Sequence, residues 1–228
     1  MTLKRQPCPD PEYYVWVNTA TGGYWRRRRG TVKKAKLNKV LSGNAKLTPV
    51  ANDAAKRIRA KLDPFLGGLS VGRIQANLGG KLKKAYNHKG YMDYSFMKGM
   101  NMQPFYPLER LIKDIYSIEV TSDCVTVRIP VYEHSVDNTG ALVTDYYFEL
   151  ILLEGDPAKT RNSLRTDVDT SPLYAIGSKA ATIELCVHPT RSLWMVLLKL
   201  NTLETETLSH YGPAASPSNY GMKVIAVS

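Results

Sequence analysis

Residues 124–132 read CVTVRIPVY, and their side chains alternate in character along the chain. The odd-numbered positions from 125 to 131 all carry Val or Ile, whereas the even-numbered positions carry Cys, Thr, Arg, Pro and Tyr. Successive side chains of an extended strand point to opposite faces, so this alternation predicts a strand with one face buried and one face in solvent.

The same pattern of short apolar runs continues to the C-terminus. Turn-forming residues such as Ser122-Asp123 and Gly155-Asp156-Pro157 separate the runs, and no helical period lies between them. We therefore predict an antiparallel β-sandwich, Ig-like or jelly-roll-like, over residues 111–228. A Ser/Thr/Asp-rich segment around Asp167 and Asp169 is expected to be a surface loop. The further runs are 115–120, 142–153, 181–188, 193–203 and 222–227.

Residues 46–110 are predicted to form a basic helical region, because apolar residues recur in them at helical spacing. Thr48 can cap a first helix with Pro49 at its first position, and apolar residues from Val50 to Leu62 repeat every four residues. A second apolar series runs from Ile74 to Tyr86. Its interior pair Gly79-Gly80 lowers the stability of a helix by about 2 kcal/mol relative to two alanines, which predicts a kink or break. Residues 87–108 show no clear period and are interpreted as a loop or a bridge between the two halves of the chain.

Residues 1–45 precede this region and have a different character. Three prolines in the first twelve residues indicate a mobile leader. The aromatic run from Tyr13 to Val17, a turn at Thr21-Gly22-Gly23 and the following Tyr24-Trp25 predict a small hairpin, which leads into a basic arm. The chain is thus expected to be α+β, with a small basic hairpin and helical region before the sandwich.

Charge is divided unevenly along the sequence. Residues 1–115 hold 23 Lys and Arg against 7 Asp and Glu, whereas residues 116–228 hold 8 against 13. Between Tyr13 and Met100 only Asp53, Asp63 and Asp93 oppose nineteen basic side chains. Most of these cations therefore need an external anion or water as their counterpart, and nucleic acid is the commonest intracellular polyanion.

Aromatic side chains are interleaved with these cations, as in proteins that stack bases on exposed rings while basic groups hold phosphates. The same rings could instead be ordinary core or interface residues. Candidate residues for binding nucleic-acid backbone are Tyr24, Trp25, Arg26, Arg27, Arg28, Arg29, Lys33, Lys34, Lys36, Lys39, Arg57, Arg59, Lys83 and Lys84.

Other kinds of site find little support in the sequence. Glycines at 67 and 72 have phosphate-loop spacing, but Arg73 and Ile74 replace the Lys and the Ser or Thr that this motif needs. Cys186 and His188 would face one way on a strand, with Cys124 and His134 approaching from a neighbour, yet no paired metal-ligand spacing accompanies them. No catalytic motif is recognisable. We expect no enzyme activity, cofactor or metal.

The location is also constrained. Three cysteines are too few for a disulfide framework and suit a reducing compartment. The N-terminus lacks the apolar segment of a signal peptide, and no apolar run approaches the twenty residues of a membrane span. A cytoplasmic protein, or a part of an assembled particle, is expected.

The order of these pieces resembles a group of uncharacterised Bacteroidota proteins that begin with a short strand, a Gly-Tyr turn and a basic two-helix segment and end as a β-sandwich. This resemblance implies a fold and no established activity. The residues that carry it are 21–24 with the following arginines, 125–132, 146–150 and 220–227.

Three functions remain open at this stage. The first is non-enzymatic binding of nucleic-acid backbone, or of another polyanion, without sequence specificity. The second is a self-assembling coat, sheath or appendage subunit whose basic arm docks on a neighbouring copy. The third is a sandwich that binds carbohydrate or peptide through loops 133–141 and 155–180, which leaves the basic half unexplained.

Overall fold

The computed structural model has mixed helices and antiparallel sheets, which confirms the α+β class. Its contacts divide the chain into two compact units, residues 1–45 and 46–228. Expectations for the leader, for the arm at 28–38, for His134 and for loop 133–141 lie outside the residues that the structure describes. The described residues are 12, 14–19, 22–27, 39–67, 72–102, 107–112, 116–131, 143–159, 163–177, 182–204 and 220–228.

The first unit contains the predicted hairpin. Strand β1 (Tyr14–Thr19) pairs antiparallel with β2 (Gly22–Arg27), and Thr19 lies opposite Gly22 in the register. Gly22 and Gly23 therefore belong to β2, whereas the sequence had suggested that they form the turn. The physical reason is packing, because a Cβ on Gly23 would lie 2.4 Å from the Trp16 ring.

Two long helices follow, and the first begins earlier than predicted. Helix α1 spans Lys39–Leu62, so Thr48 and Pro49 lie inside it and not at its start. Pro49 has no N–H to donate to the carbonyl of Ala45, and the boundary between the two units falls directly after Ala45. A 3₁₀ turn at Asp63–Phe65, which contains the Asp63-Pro64 pair, follows the helix.

Helix α2 (Gly72–Lys89) continues through Gly79 and Gly80 without the predicted break. Gly79 is buried against α1, and a Cβ there would lie 2.9 Å from Asn52 Oδ1. The glycine thus serves the close approach of two helices. Val50 and Tyr86 are exposed, which corrects the predicted apolar faces. The buried faces consist of Ala51, Ala54, Ala55, Ile58, Leu62, Ile74, Leu78, Leu82 and Ala85.

Among the remaining described residues of the second unit, the strands form two antiparallel sheets. After the short helix α3 (Leu108–Leu111), the strands are β3 (Ser117–Val120), β4 (Val125–Pro130), β5 (Val143–Glu154), β6 (Arg165–Thr170), β7 (Tyr174–Ala175), β8 (Thr182–Val187), β9 (Trp194–Glu204) and β10 (Tyr220–Val227). The larger sheet has the order β10-β9-β5-β6, with β7 also paired to β5, and the smaller sheet has the order β3-β4-β8.

The larger sheet is covered on both faces. Ile151, Leu153 and Leu197 pack with the buried residues of α1 and α2, whereas Leu152 and Leu198 pack with the aliphatic face of β4 and β8. Strands buried on both faces read as continuous apolar runs, which explains the unbroken stretches in β5 and β9. In β4, Val125, Val127 and Ile129 are buried and Arg128 is exposed, as the alternation predicted, whereas Thr126 on the predicted solvent face is buried as well.

Two segments differ from their prediction as loops. Asp167 and Asp169 lie in β6, a polar strand that the Ser/Thr/Asp composition concealed. Residues 87–89 belong to α2, and residues 99–102 pair with the edge of β10 through backbone bonds such as Met102 N–H to the Met222 carbonyl (2.8 Å). Buried methionines in this segment join the helical core, so it closes a sheet edge instead of bridging two halves.

In the described part of the chain, no helix combines the length and the apolar character that a bilayer crossing requires.

Gly80 provides a test of the helical packing. It is exposed, and a Cβ there would meet no atom within 4 Å. We expect Gly80→Ala to raise the free energy of unfolding by about 0.5–1 kcal/mol, since alanine removes backbone entropy from the unfolded chain. Urea denaturation of the full chain measures this. Ala76→Gly, at another exposed position of α2, should lower stability by a similar amount. Equal losses in both variants would contradict the uninterrupted helix.

Candidate nucleic-acid interface

The hairpin of β1 and β2 holds its aromatic side chains by cross-strand packing. Trp16 lies opposite Trp25, with ring centroids 5.2 Å apart and planes at 72°, an edge-to-face pair. Both rings are half-buried. Trp25 was predicted to contact nucleic acid, and this pairing gives it a structural role inside the hairpin as well.

The other face of the hairpin carries exposed side chains. Tyr24 and Arg26 share this face with Val15, and the three are exposed to solvent, Tyr24 by 51% of its surface. An exposed ring two residues from an exposed guanidinium lies on the same side of the strand, at about 7 Å along it. This arrangement suits a base stacked on the ring and a phosphate held by the arginine.

The rest of the predicted arm is only partly described. Arg27 is the last residue of β2 and Lys39 the first of α1, and their side chains lie outside the described part. Further predicted residues of the arm, Arg28, Arg29, Lys33, Lys34 and Lys36, lie wholly outside it.

Two predicted arginines of α1 make contacts within the protein. Arg57 donates from Nη2 to the carbonyl of Pro157 (3.0 Å) and to that of Ala158 (3.3 Å). Arg59 Nε lies 3.5 Å from Asp63 Oδ1. This nitrogen is buried and donates no hydrogen bond. Both guanidinium groups therefore support the fold, because Arg57 ties α1 to the loop after β5 and Arg59 holds the end of its own helix.

Two predicted lysines of α2 are held loosely. Lys83 Nζ donates to Thr48 Oγ1 on α1 (3.3 Å). Lys84 Nζ lies 4.7 Å from the centroid of the Phe96 ring, a cation–π contact. Neither contact neutralises the charge, so both ammonium groups keep their attraction for an anion.

The three carboxylates of this region are already engaged. Asp53 lies 3.6 Å from Lys56, Asp63 pairs with Arg59, and Asp93 lies 2.6 Å from Lys89. Each acid thus takes one cation. No carboxylate of a described residue lies within ion-pair distance of the remaining lysines of residues 46–100, which are Lys46, Lys61, Lys81, Lys83, Lys84 and Lys98.

Four of these lysines were absent from the sequence-based candidates. Lys46 and Lys98 are exposed, and Lys61 and Lys81 are partly exposed. The charge count alone could have identified them, because they lie in the same acid-poor stretch as Lys83 and Lys84. What sequence could not show is which cations the three aspartates would take.

A cleft of about 400 Å³ lies beside the end of β5, between the first part of the predicted ligand loop 155–180 and residues 191–193. The Arg191 guanidinium there donates to the Ser163 carbonyl, and the buried Glu154 carboxylate accepts hydrogen bonds from Thr190. These bonds hold the walls together. The cleft is lined by Gly155, Asp156, Lys159, Ser163, Arg191, Ser192 and Leu193. Among the described residues, no group of His, Cys, Asp and Glu has a metal-binding arrangement.

No family model matches the chain, and no curated protein or solved structure is similar to it. The resemblance to Bacteroidota proteins therefore stays a prediction.

Asp93 gives a pH-dependent test of this charge arrangement. Burial alone would raise the pKa of its carboxyl, but hydrogen bonds from Lys89 and Ser95 favour the charged form and bring the pKa below its usual value. A lowered pKa contributes stability above the unfolded pKa that is lost as pH falls through the folded pKa. We expect Asp93→Asn to cost about 1–3 kcal/mol at neutral pH and much less in acid.

Denaturation curves of the full chain between neutral and acidic pH measure this difference. Asp53→Asn is the matched control, because its pair with Lys56 is exposed and should change stability by less than about 1 kcal/mol. A cost for Asp93→Asn that stayed constant with pH would contradict the assignment.

Proposed function

We propose that the protein binds nucleic-acid backbone without reading sequence, through the cations of residues 46–100 and the exposed ring and arginine of the hairpin. The observation that carries this proposal is the shortage of carboxylates near these cations. Asp53, Asp63 and Asp93 each pair with one cation, and six lysines have no carboxylate partner among the described residues.

Electrostatics favours a polyanion over a single small anion. Six lysines spread over two helices and the segment after them cannot converge on one phosphate, but a chain of phosphates can meet several of them. Binding would release condensed counterions from the nucleic acid, which is the main source of affinity for such surfaces. Lysine ammonium groups act as mobile point charges, so they contact phosphates without imposing a base sequence.

The hairpin favours single strands within this proposal. A duplex keeps its bases stacked on one another, whereas a single strand can place a base on the exposed Tyr24 ring while Arg26 contacts the adjoining phosphate. The scaffold in this proposal is a β-sandwich of Ig-like or jelly-roll-like type formed by the two sheets, and the setting is the cytoplasm or an assembled particle.

A titration in salt tests the proposal. If about six phosphates are neutralised, the logarithm of affinity should fall with the logarithm of salt concentration at a slope near −4 for a single strand and −5 for a duplex. Fluorescence anisotropy of labelled mixed-sequence oligonucleotides with the full chain measures both slopes. Absence of binding even at low salt would refute the function.

Variants assign the contact to the helical lysines. We expect Lys83→Gln with Lys84→Gln to weaken binding equally for all sequences and to reduce the single-strand slope by about 1.4. Lys159→Gln with Arg165→Gln removes the same charge from exposed positions outside the basic half and is the matched control. Equal effects of the two pairs would show that net charge and not this surface is responsible.

A self-assembling subunit is the second candidate, and β3 favours it. This strand lies at the edge of the smaller sheet, where Ile118 and Val120 are 38% and 53% exposed. An exposed edge with apolar side chains can pair with a strand of another copy.

Oligomeric state tests this second candidate. Light scattering during size-exclusion chromatography should show an oligomer of the full chain that becomes monomeric with Ile118→Lys and Val120→Lys, since charged edge residues oppose strand pairing. The matched control Val168→Lys, on the exposed edge strand β6, should leave the mass unchanged. A monomer in every case would exclude the candidate.

A further inference from the structure

Two cysteines meet on the solvent face of the smaller sheet, far in sequence from each other. The register of β4 and β8 places Thr126 directly opposite Cys186. Cys124 precedes Thr126 by two residues, so it lies on the same face as a diagonal neighbour of Cys186. The Thr126 hydroxyl is 3.4 Å from Cys124 Sγ, and Thr126 faces Cys186 across the register. Thr126 is thus a neighbour of both cysteines.

The position of these thiols differs from that of ordinary structural cysteines. A cysteine that only fills space is among the most buried of residue types. Cys124 and Cys186 are both partly exposed, and their face of the sheet is polar, with Arg128 bridging Glu119 and Glu184 at 2.8 Å each. Solvent and small solutes can therefore reach both sulfurs.

The two thiols are chemically unequal. Hydrogen bonds from Thr121 and Thr126 lower the pKa of Cys124, because they favour its thiolate. Burial raises the pKa of Cys186, so this thiol keeps its proton longer. The carboxylates that oppose a thiolate here are already bonded, Glu119 to Arg128 and Asp169 to the backbone N–H of Cys186 (2.8 Å). Cys124 is consequently the better nucleophile of the pair.

A histidine stands beside the second thiol. His188 Nδ1 lies 3.1 Å from the carbonyl oxygen of Asp123, and His188 Nε2 lies 3.8 Å from Cys186 Sγ. A carbonyl only accepts hydrogen bonds, so Nδ1 carries the proton and Nε2 is left as an acceptor. His188 can therefore remove the proton of Cys186 when that thiol must attack.

We propose that Cys124 and Cys186 form a redox-active dithiol that exchanges with small-molecule disulfides such as glutathione disulfide. The Cys124 thiolate attacks one sulfur of the disulfide, forming a mixed disulfide and releasing one glutathione thiolate. The Cys186 thiol passes its proton to His188, and its sulfur attacks Cys124 Sγ and releases the second glutathione. Two protein thiols are oxidised to one disulfide while one glutathione disulfide is reduced to two thiols.

The fold permits this closure because Cys124 lies outside the ladder. Strand β4 begins at Val125, and Cys124 belongs to the turn in which its carbonyl accepts hydrogen bonds from Thr121. A diagonal pair inside a regular ladder is spaced too widely for an easy disulfide, so closure must shift this turn and loosen the hydrogen bonds between the Cys124 backbone and Thr121. Oxidation would then link this turn to β8.

The test uses the full chain with Cys8→Ser, which leaves only the two proposed thiols. After incubation with glutathione disulfide, we expect intact mass and peptide mapping to show a Cys124–Cys186 disulfide that retains no glutathione and is reversed by reduced glutathione. Adding Cys186→Ser should leave one glutathione on Cys124, since the resolving thiol is gone. Adding Cys124→Ser should slow the first reaction by about tenfold or more.

His188→Gln separates the mechanism from mere proximity. This variant should form the mixed disulfide on Cys124 at the original rate but resolve it at least about tenfold more slowly. Two thiols that stay unmodified, or that each carry glutathione without becoming linked, would overturn the proposal. These outcomes are independent of nucleic-acid binding, because neither cysteine belongs to the basic helical region.

Discussion

The burial of β5 and β9 on both faces is the constraint on which the second unit depends. Leu150 to Leu153 are all buried, and alternate members of this run point into different cores. A sheet with two apolar faces must be covered twice, and the chain does so with the helices α1 and α2 on one side and the smaller sheet on the other. Each covering layer then keeps one face in solvent, and the candidate lysines and cysteines of this unit lie on those outer faces.

The covering role of the helices also explains their charge. Their inner faces are occupied by alanine, leucine and isoleucine, so selection for packing leaves the outer faces open to any polar composition. A soluble layer would need only mixed charges. The layer instead has three aspartates, each used on a single cation, and this imbalance is what a polyanion can exploit.

Sequence predicted the features that depend on local pattern and missed those that depend on partners. The alternation in β4 indicated its buried face, because the period of a strand is a local property. The predicted start of α1 was wrong because a proline is a weak boundary signal when the turns before and after it are helical. Gly79 and Gly23 were misread as breakers, since their reason is a neighbour, Asn52 or Trp16, that only the fold brings near. The excess of positive charge could be predicted from the sequence. The hydrogen bond from Arg57 to Pro157 could not, because it joins residues 100 positions apart and no local pattern indicates it.

The layered arrangement separates the two candidate sites within residues 46–228. The lysines lie on the helical layer and the dithiol on the outer face of the smaller sheet, with the larger sheet between them. A polyanion on the helices would therefore leave Cys124 and Cys186 accessible, and oxidation would fix the turn before β4 without touching α1 or α2. Coupling between the sites would require a change in the larger sheet, which is buried on both faces and is the least compliant part of this unit. The geometry thus favours two sites that act independently.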